Sequence, residues 1–361
     1  MAAPTSTNPL KARSEMSRFR FLIHLLMGLG AMLLVAAQCE PARAQVPAGI
    51  QSQTGPRLDF PAGLASDGRM LYVANSRNNT IVGVDLVGHS LTLVAGMTFK
   101  DGSNDGAGDA ARFNGPDGMA FVSGSLYICD TNNSDIRKLD IASRNVTTFA
   151  GTANISGSDD GHATAAHFNL PTQIATDGTS LFVADSGNNT VRRIVLADGT
   201  VKTIAGQAGQ QGNTDGPPSK STFSNPSGIA TDGKNVYLAD TGNQLIRKID
   251  LSSMETSIFA GTGEQGSNEG DAAKAQFNNP GALCTDGTFL YVLDSDNHAI
   301  RKINLAQKQV STLTQVNGHI GSGCAITPDG KTLYISDTTE NAVEQVDTSN
   351  GNFISVYPVG Q

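Results

Sequence analysis

Tryptophan is absent from these 361 residues, and the aromatic share is only 6%. A sugar-stacking platform needs exposed rings, and this chain has few to spare. Cysteine is scarce too: Cys39, Cys129, Cys284 and Cys324 form no CxxC pair, no CxxCH haem site and no clustered metal spacing. None of His89, His162, His167, His298 and His319 pairs at metal-ligand spacing, and no Gly-x-Ser-x-Gly elbow is present. Segments with a sustained 3.6-residue apolar period are missing, which excludes helical solenoids. Basic residues are in the minority, with 25 Lys and Arg against 33 Asp and Glu. Such a surface repels phosphate backbones, so nucleic acid is not expected as a partner.

Long apolar runs are equally rare. The one of note, "FLIHLLMGLGAMLLVAA", follows Arg18 and Arg20 and precedes the small-residue site Ala42-Arg43-Ala44. A basic flank, a short apolar core and a small-residue site read as a secretory signal peptide over 1–44, cleaved near Ala44-Gln45. Met16 is an alternative start, since residues 1–15 add nothing to that signal. Gln38 is a poor fit before a lipidated cysteine at Cys39. No further run has the length to span a membrane. The expected product is periplasmic or secreted, with 45–59 as an N-terminal segment and 60–361 as one domain. Removing 1–44, which carries five basic and two acidic residues, takes the formal charge from −8 to −11.

What the chain does have is a sentence written several times over. "FSNPSGIATDGKNVYLADTGNQLIRKID" from Phe223 is matched by "FNLPTQIATDGTSLFVADSGNNTVRRIV" from Phe168 and "FNNPGALCTDGTFLYVLDSDNHAIRKIN" from Phe277. Further copies begin at Phe113 and Phe60, and a worn sixth at Gly323. The aligned prolines Pro61, Pro116, Pro171, Pro226 and Pro280 stand 55, 55, 55 and 54 residues apart, and the last interval, Asp286 to Asp329, is 43. Within a copy, "SGIA", "VYLAD", "LIRKID" and "TSIFAG" are short β-rich runs broken by "TDGK" and "TGNQ" turns. Both faces of "VYLAD" are apolar or small, so an isolated sheet would leave one face in water. Stacking sheets in a closed ring buries both. The expected fold is all-β: a six-bladed propeller of four-stranded antiparallel blades, probed further by the absence of tryptophan, which excludes the WD type.

The pattern P-x-G-I-A-x-D-G…L-Y-V-A-D-x-G-N-N…I-R-K-I-D resembles the NHL repeat and covers nearly all of 60–358. The "AG…DG…A-x-F" connectors resemble the long-period variety found in exported bacterial proteins. A chain of this size buries enough surface for a stable monomer, and a rigid disc bearing loops without catalytic groups reads as a binding or scaffolding module. The resemblance leaves an alternative open, because some six-bladed relatives are metal-dependent lyases or lactonases with a site over the central channel.

Residues starting the innermost strands would line that channel: Ala62, Asp117, Thr172, Ser227, Gly281 and Cys324, with Gln173 beside them. Asp117, Thr172, Gln173, Ser227, His298 and His319 are the candidate binding residues at the channel mouth. Only Asp117 is a strong ligand, which is poor for activating water, and no cofactor is expected. Asp101, Ser103, Asp105 and Asp109 imitate a calcium loop, but Arg112 stands where a bidentate Glu belongs.

Asp130, Asp185, Asp240 and Asp294 recur once per copy and read as turn devices, as does Asp337. Arg137, Arg192, Arg247 and Arg301 read as packing and bonding between blades, with Gly83 and Glu344 breaking that series at the seam. Cys129, Cys284 and Cys324 read as buried small residues. A Cys284–Cys324 bridge is disfavoured by a three-position offset between copies. The long connectors (97–112, 152–167, 207–222, 262–276) and the "DTGNN"-type turns share one face, where a protein or peptide partner is expected to dock.

Overall fold

A computed structural model describes residues 56–316 and 320–357; the signal-peptide segment and His319 lie outside the described residues. Six antiparallel sheets form from consecutive stretches of chain, and each runs from its first strand at the channel to its fourth at the rim. Blade 1 is Pro61–Ser66, Met70–Asn75, Thr80–Asp85 and Leu91–Gly96. The innermost strands of the next five are Pro116–Val122, Pro171–Thr176, Ile229–Thr231, Pro280–Thr285 and Ile320–Ile326.

The turn between second and third strands is a short 3-10 turn, Ser186–Asn188 in blade 3, closed by a left-handed residue, Asn189 at φ 56°. Asn accepts that conformation at low cost, so the "GNN" sequence sets the hairpin.

Apolar residues fall into six clusters, one at each blade-to-blade interface. The sixth joins the ends: Leu58, Leu71 and Val73 pack against Ala325, Tyr334 and Val343. Each fully buried Val or Leu contributes roughly 1.5–3 kcal/mol, so the ring is held chiefly by these interfaces. Among the described residues no strand is exchanged at this seam. Residues 56–59 form no strand; they meet blade 1 through Asn75, which accepts the Asp59 N–H at 2.6 Å and donates to the Arg57 carbonyl at 2.8 Å. Asn341 of blade 6 accepts the Phe60 N–H at 2.7 Å, as Asn189 accepts that of Asn225 at 2.8 Å between blades 3 and 4.

Two expectations need correction. Three blades carry a fifth, two-residue strand: Gly106–Ala107, Gly161–His162 and Gly270–Asp271 each pair with the outer strand of the blade that follows. The connectors are therefore partly sheet. Second, Cys284 and Cys324 form a disulfide between blades 5 and 6, with Cα atoms 6.1 Å apart. Cys324 pairs with Ile335 as Leu283 pairs with Val292, so the two cysteines differ by one position and not three. Cys129 is a buried free thiol.

Candidate functional site

Adjacent innermost strands come within backbone contact at the connector end of the channel. A Cβ on Gly118 would sit 2.5 Å from the Gln173 Cα, and one on Gly323 would collide with the Ala62 carbonyl oxygen. That closeness demands glycine and narrows the channel to a neck. Asp117 Oδ1 accepts a hydrogen bond from Ser322 Oγ at 2.8 Å across it. Gln173 spans the same opening, donating to the Ser322 carbonyl at 2.5 Å and accepting the Ile229 N–H at 3.1 Å. Thr172 Oγ1 donates to the Ser227 carbonyl at 3.0 Å, and Ser227 Oγ meets Thr241 Oγ1 at 2.6 Å.

Four of the six predicted mouth residues thus converge on the neck. His298 does not: it is the exposed last residue of the blade 5 hairpin, at φ 49°. Ser322, not Cys324, completes the ring of Ala62, Asp117, Thr172, Ser227 and Gly281, because the turn of the last copy, which holds Thr327 and Pro328, is two residues longer and shifts its alignment. Cys324 lies deeper, where Leu64, Met119, Ile174, Ile229 and Leu283 help to line a cavity of about 200 Å³.

Burial pushes the Asp117 carboxyl up to about 7, against the Ser322 bond that lowers it. The ring does not fit a catalytic metal. One carboxylate among small neutral groups falls short of the three protein ligands such an ion takes, and among the described residues no group of three or more His, Cys, Asp or Glu is placed to hold one.

Each repeated Asp–Arg pair pins a connector. In blade 2, Arg137 is fully buried; it donates to Asp130 Oδ2 at 3.1 Å, to the Arg112 carbonyl at 2.8 Å and to Asp105 Oδ1 at 2.7 Å. Its guanidinium lies over the Phe113 ring, 5.5 Å from the centroid. Arg192, Arg247 and Arg301 repeat this with Asp185, Asp240 and Asp294 at 2.9, 2.7 and 2.8 Å. The apparent calcium loop has its centre turned to this arrangement: Asp105 is held by Arg137, and Thr148 Oγ1 donates to it at 3.3 Å. Asp101 bridges to Phe113, and Asp109 is the middle residue of the short 3-10 turn Gly108–Ala110.

Asp135 is the exception in blade 2. It is fully buried, and neither carboxylate oxygen has a hydrogen-bond partner among the described residues. Burial first, then Asp130, pushes its carboxyl up to about 7. Thr80 and Thr190 stand at the same place in blades 1 and 3. The folded state therefore binds a proton that the unfolded chain releases near pH 4, and stability falls as pH rises from there to about 7. Asp135→Thr is expected to raise the unfolding free energy at pH 8 by about 1–3 kcal/mol, with a smaller gain at pH 4, as read by urea denaturation.

The connector face also carries exposed apolar side chains that the repeat pattern did not reveal. Phe60, Phe99, Ile155 and Leu170 are 38%, 70%, 50% and 41% exposed. Phe60, Phe99 and Leu170 adopt φ of 57°, 59° and 49°, a left-handed conformation that is costly for bulky residues. Phe60 and Phe99 flank the first hairpin: Arg77 lies over the Phe60 ring, and the Phe99 N–H bonds the Asn78 carbonyl at 3.0 Å. Leu170 and Phe60 precede their blades' prolines, where blades 4 and 5 carry Asn225 and Asn279. The apolar side chains are thus confined to one side of the ring.

No protein-family model matches the chain. Human NHL repeat-containing protein 2 is 28% identical over 292 residues, covering 71% of this chain. The chain is an NHL-repeat β-propeller. Arabidopsis thaliana protein SUPPRESSOR OF QUENCHING 1, chloroplastic, is 27% identical to it over 344 residues, covering 85% of this chain. The match spans only 32% of the Arabidopsis protein and 40% of the human one. In fold it is similar to a solved chain of the nidogen/laminin complex, with TM-score 0.56 at 17% identity over 79% of this chain and 91% of that one. Virginiamycin B lyase from Staphylococcus aureus is similar as well, with TM-score 0.52 at 12% identity over 85% and 88%.

Proposed function

We propose that this NHL propeller is an exported binding module that docks a protein or peptide partner on its connector face. The observation that carries the reading is the set Phe60, Phe99, Ile155 and Leu170, exposed on one side of that face and largely in left-handed backbone. Strained, solvent-facing apolar residues are retained where a partner covers them. A neighbouring fold in a nidogen/laminin complex supports the use of such a disc for protein contact. The disulfide supports export, since such bonds persist in oxidising compartments.

The test compares envelope or culture-medium proteins captured by the wild-type chain and by a Phe60→Ser, Phe99→Ser, Ile155→Ser, Leu170→Ser variant. A control carries Ile258→Ser and Ile354→Ser on outer strands. The expected result is a reproducible partner retained by the control and reduced at least tenfold in the face variant. Equal capture by all three overturns the reading.

A second reading, lyase or lactonase chemistry at the neck, is carried by Asp117. A carboxyl with its pKa near 7 is suited to proton transfer at neutral pH. It predicts turnover of a lactone panel that Asp117→Asn abolishes, and a wild-type chain that turns over none of them counts against it.

A further inference from the structure

Blade 6 repeats the strands of its neighbours without their cation. In blade 3 the Asp185 carboxylate ends the second strand, and Arg192, opposite Val183 in the third, meets it at 2.9 Å. Blade 6 keeps the aspartate, and Asp337 is 1% exposed. The arginine position, opposite Ile335, is Glu344. One Asp337 oxygen accepts the N–H groups of Thr339 and Glu340 at 2.7 and 2.9 Å. The other has no hydrogen-bond partner among the described residues.

A buried carboxylate oxygen without a donor is costly, and here two further carboxylates stand by. Glu344 is half-buried, and burial, with Asp337 and Glu340 close at hand, pushes its carboxyl above the usual range. Glu340 is exposed. Among the described residues no Lys, Arg or His forms an ion pair with any of the three. Their spacing does not suit a metal ion either. The group that does suit an Asp at this place is shown four times in the same molecule. It is a guanidinium, whose planar fork reaches the aspartate and neighbouring carbonyls together.

The cluster also adjoins the apolar face. Asn341, three residues before Glu344, accepts the Phe60 N–H at 2.7 Å. We propose that Asp337, Glu340 and Glu344 form an anchoring pocket for an arginine side chain of the docking partner, which takes the place the chain's own arginine holds in blades 2 to 5. This rests on the binding reading above and narrows the partner to one presenting arginine beside apolar side chains.

The test titrates N-acetyl-arginine amide into the ¹⁵N-labelled chain, with N-acetyl-citrulline amide as the neutral isostere and calcium chloride as a competing cation. Expected are saturable shifts of the Asp337, Glu340 and Glu344 amides with the arginine probe only. Glu344→Arg should abolish them, and Glu344→Gln, which keeps the side-chain shape, should weaken binding at least threefold. An equal response in Glu344→Arg, a response to calcium but not to arginine, or no response overturns the proposal. The four-serine face variant should still bind the probe. Lost probe binding with partner capture intact therefore overturns the pocket alone, and the reverse outcome overturns the apolar docking face alone.

Discussion

Arg192→Leu lowers the unfolding free energy by about 3–5 kcal/mol in chemical denaturation, while the double variant Arg192→Leu, Asp185→Leu loses markedly less. The single change strands Asp185, which has no exposed surface, with Asn188 and the Asn169 N–H as its remaining donors at 2.8 and 2.7 Å. It also frees the connector, since Arg192 donates to the Asp159 and His167 carbonyls at 2.8 and 2.7 Å and to Asp160 Oδ1 at 3.0 Å. Removing both charges leaves an apolar pair under Phe168 and no uncompensated ion. Partner binding should weaken with the single change as well, because Ile155 and Leu170 border this connector. Equal losses in the single and double variants would show that the arginine acts by packing alone.

Reduction of the Cys284–Cys324 bond, or its removal by a Cys284→Ala, Cys324→Ala pair, lowers stability by about 3–4 kcal/mol. The estimate comes from the chain entropy released when residues 40 apart are no longer tied. The thermal midpoint falls by several degrees in reductant, and the cysteine-free variant becomes insensitive to reductant. Blades 5 and 6 bear the loss first, because the bond crosses their interface among Ala282, Leu293, Ile320 and Leu333. A midpoint unchanged by reductant would show that the thiols are not joined in solution.

The ring itself was legible because each copy of the sentence encodes one sheet, and period-two apolar strands closed by Gly and Asn turns leave few other arrangements. Asp117, Thr172, Gln173 and Ser227 were found at the channel for the same reason: they follow the proline that opens each blade. Ser322 was missed because two extra residues in the last copy's turn, around Thr327 and Pro328, displace its alignment, so register had to come from the pairing of Cys324 with Ile335. The same shift hid the disulfide. Phe60 and Leu170 were hidden differently: the residue before the proline has no periodic signal, and only the contrast with Asn225 and Asn279 marks it. The two-residue connector strands are too short to carry any pattern. The hydroxyl linking successive blades, such as Thr131 Oγ1 to the Pro171 carbonyl at 2.7 Å, was in plain view in the "D-[ST]" pairs but read only as turn chemistry.

The seam between blades 1 and 6 has mechanical consequences. Five junctions are crossed by continuous backbone, and one of these carries a covalent staple besides; among the described residues the sixth rests on side chains and hydrogen bonds, Asn341 to Phe60 among them. Tension applied between residues 56 and 357 loads that unstapled junction before any other. Parting starts there, blade 1 peels away ahead of the rest, and the stapled pair opposite it on the clasp lets go as a unit.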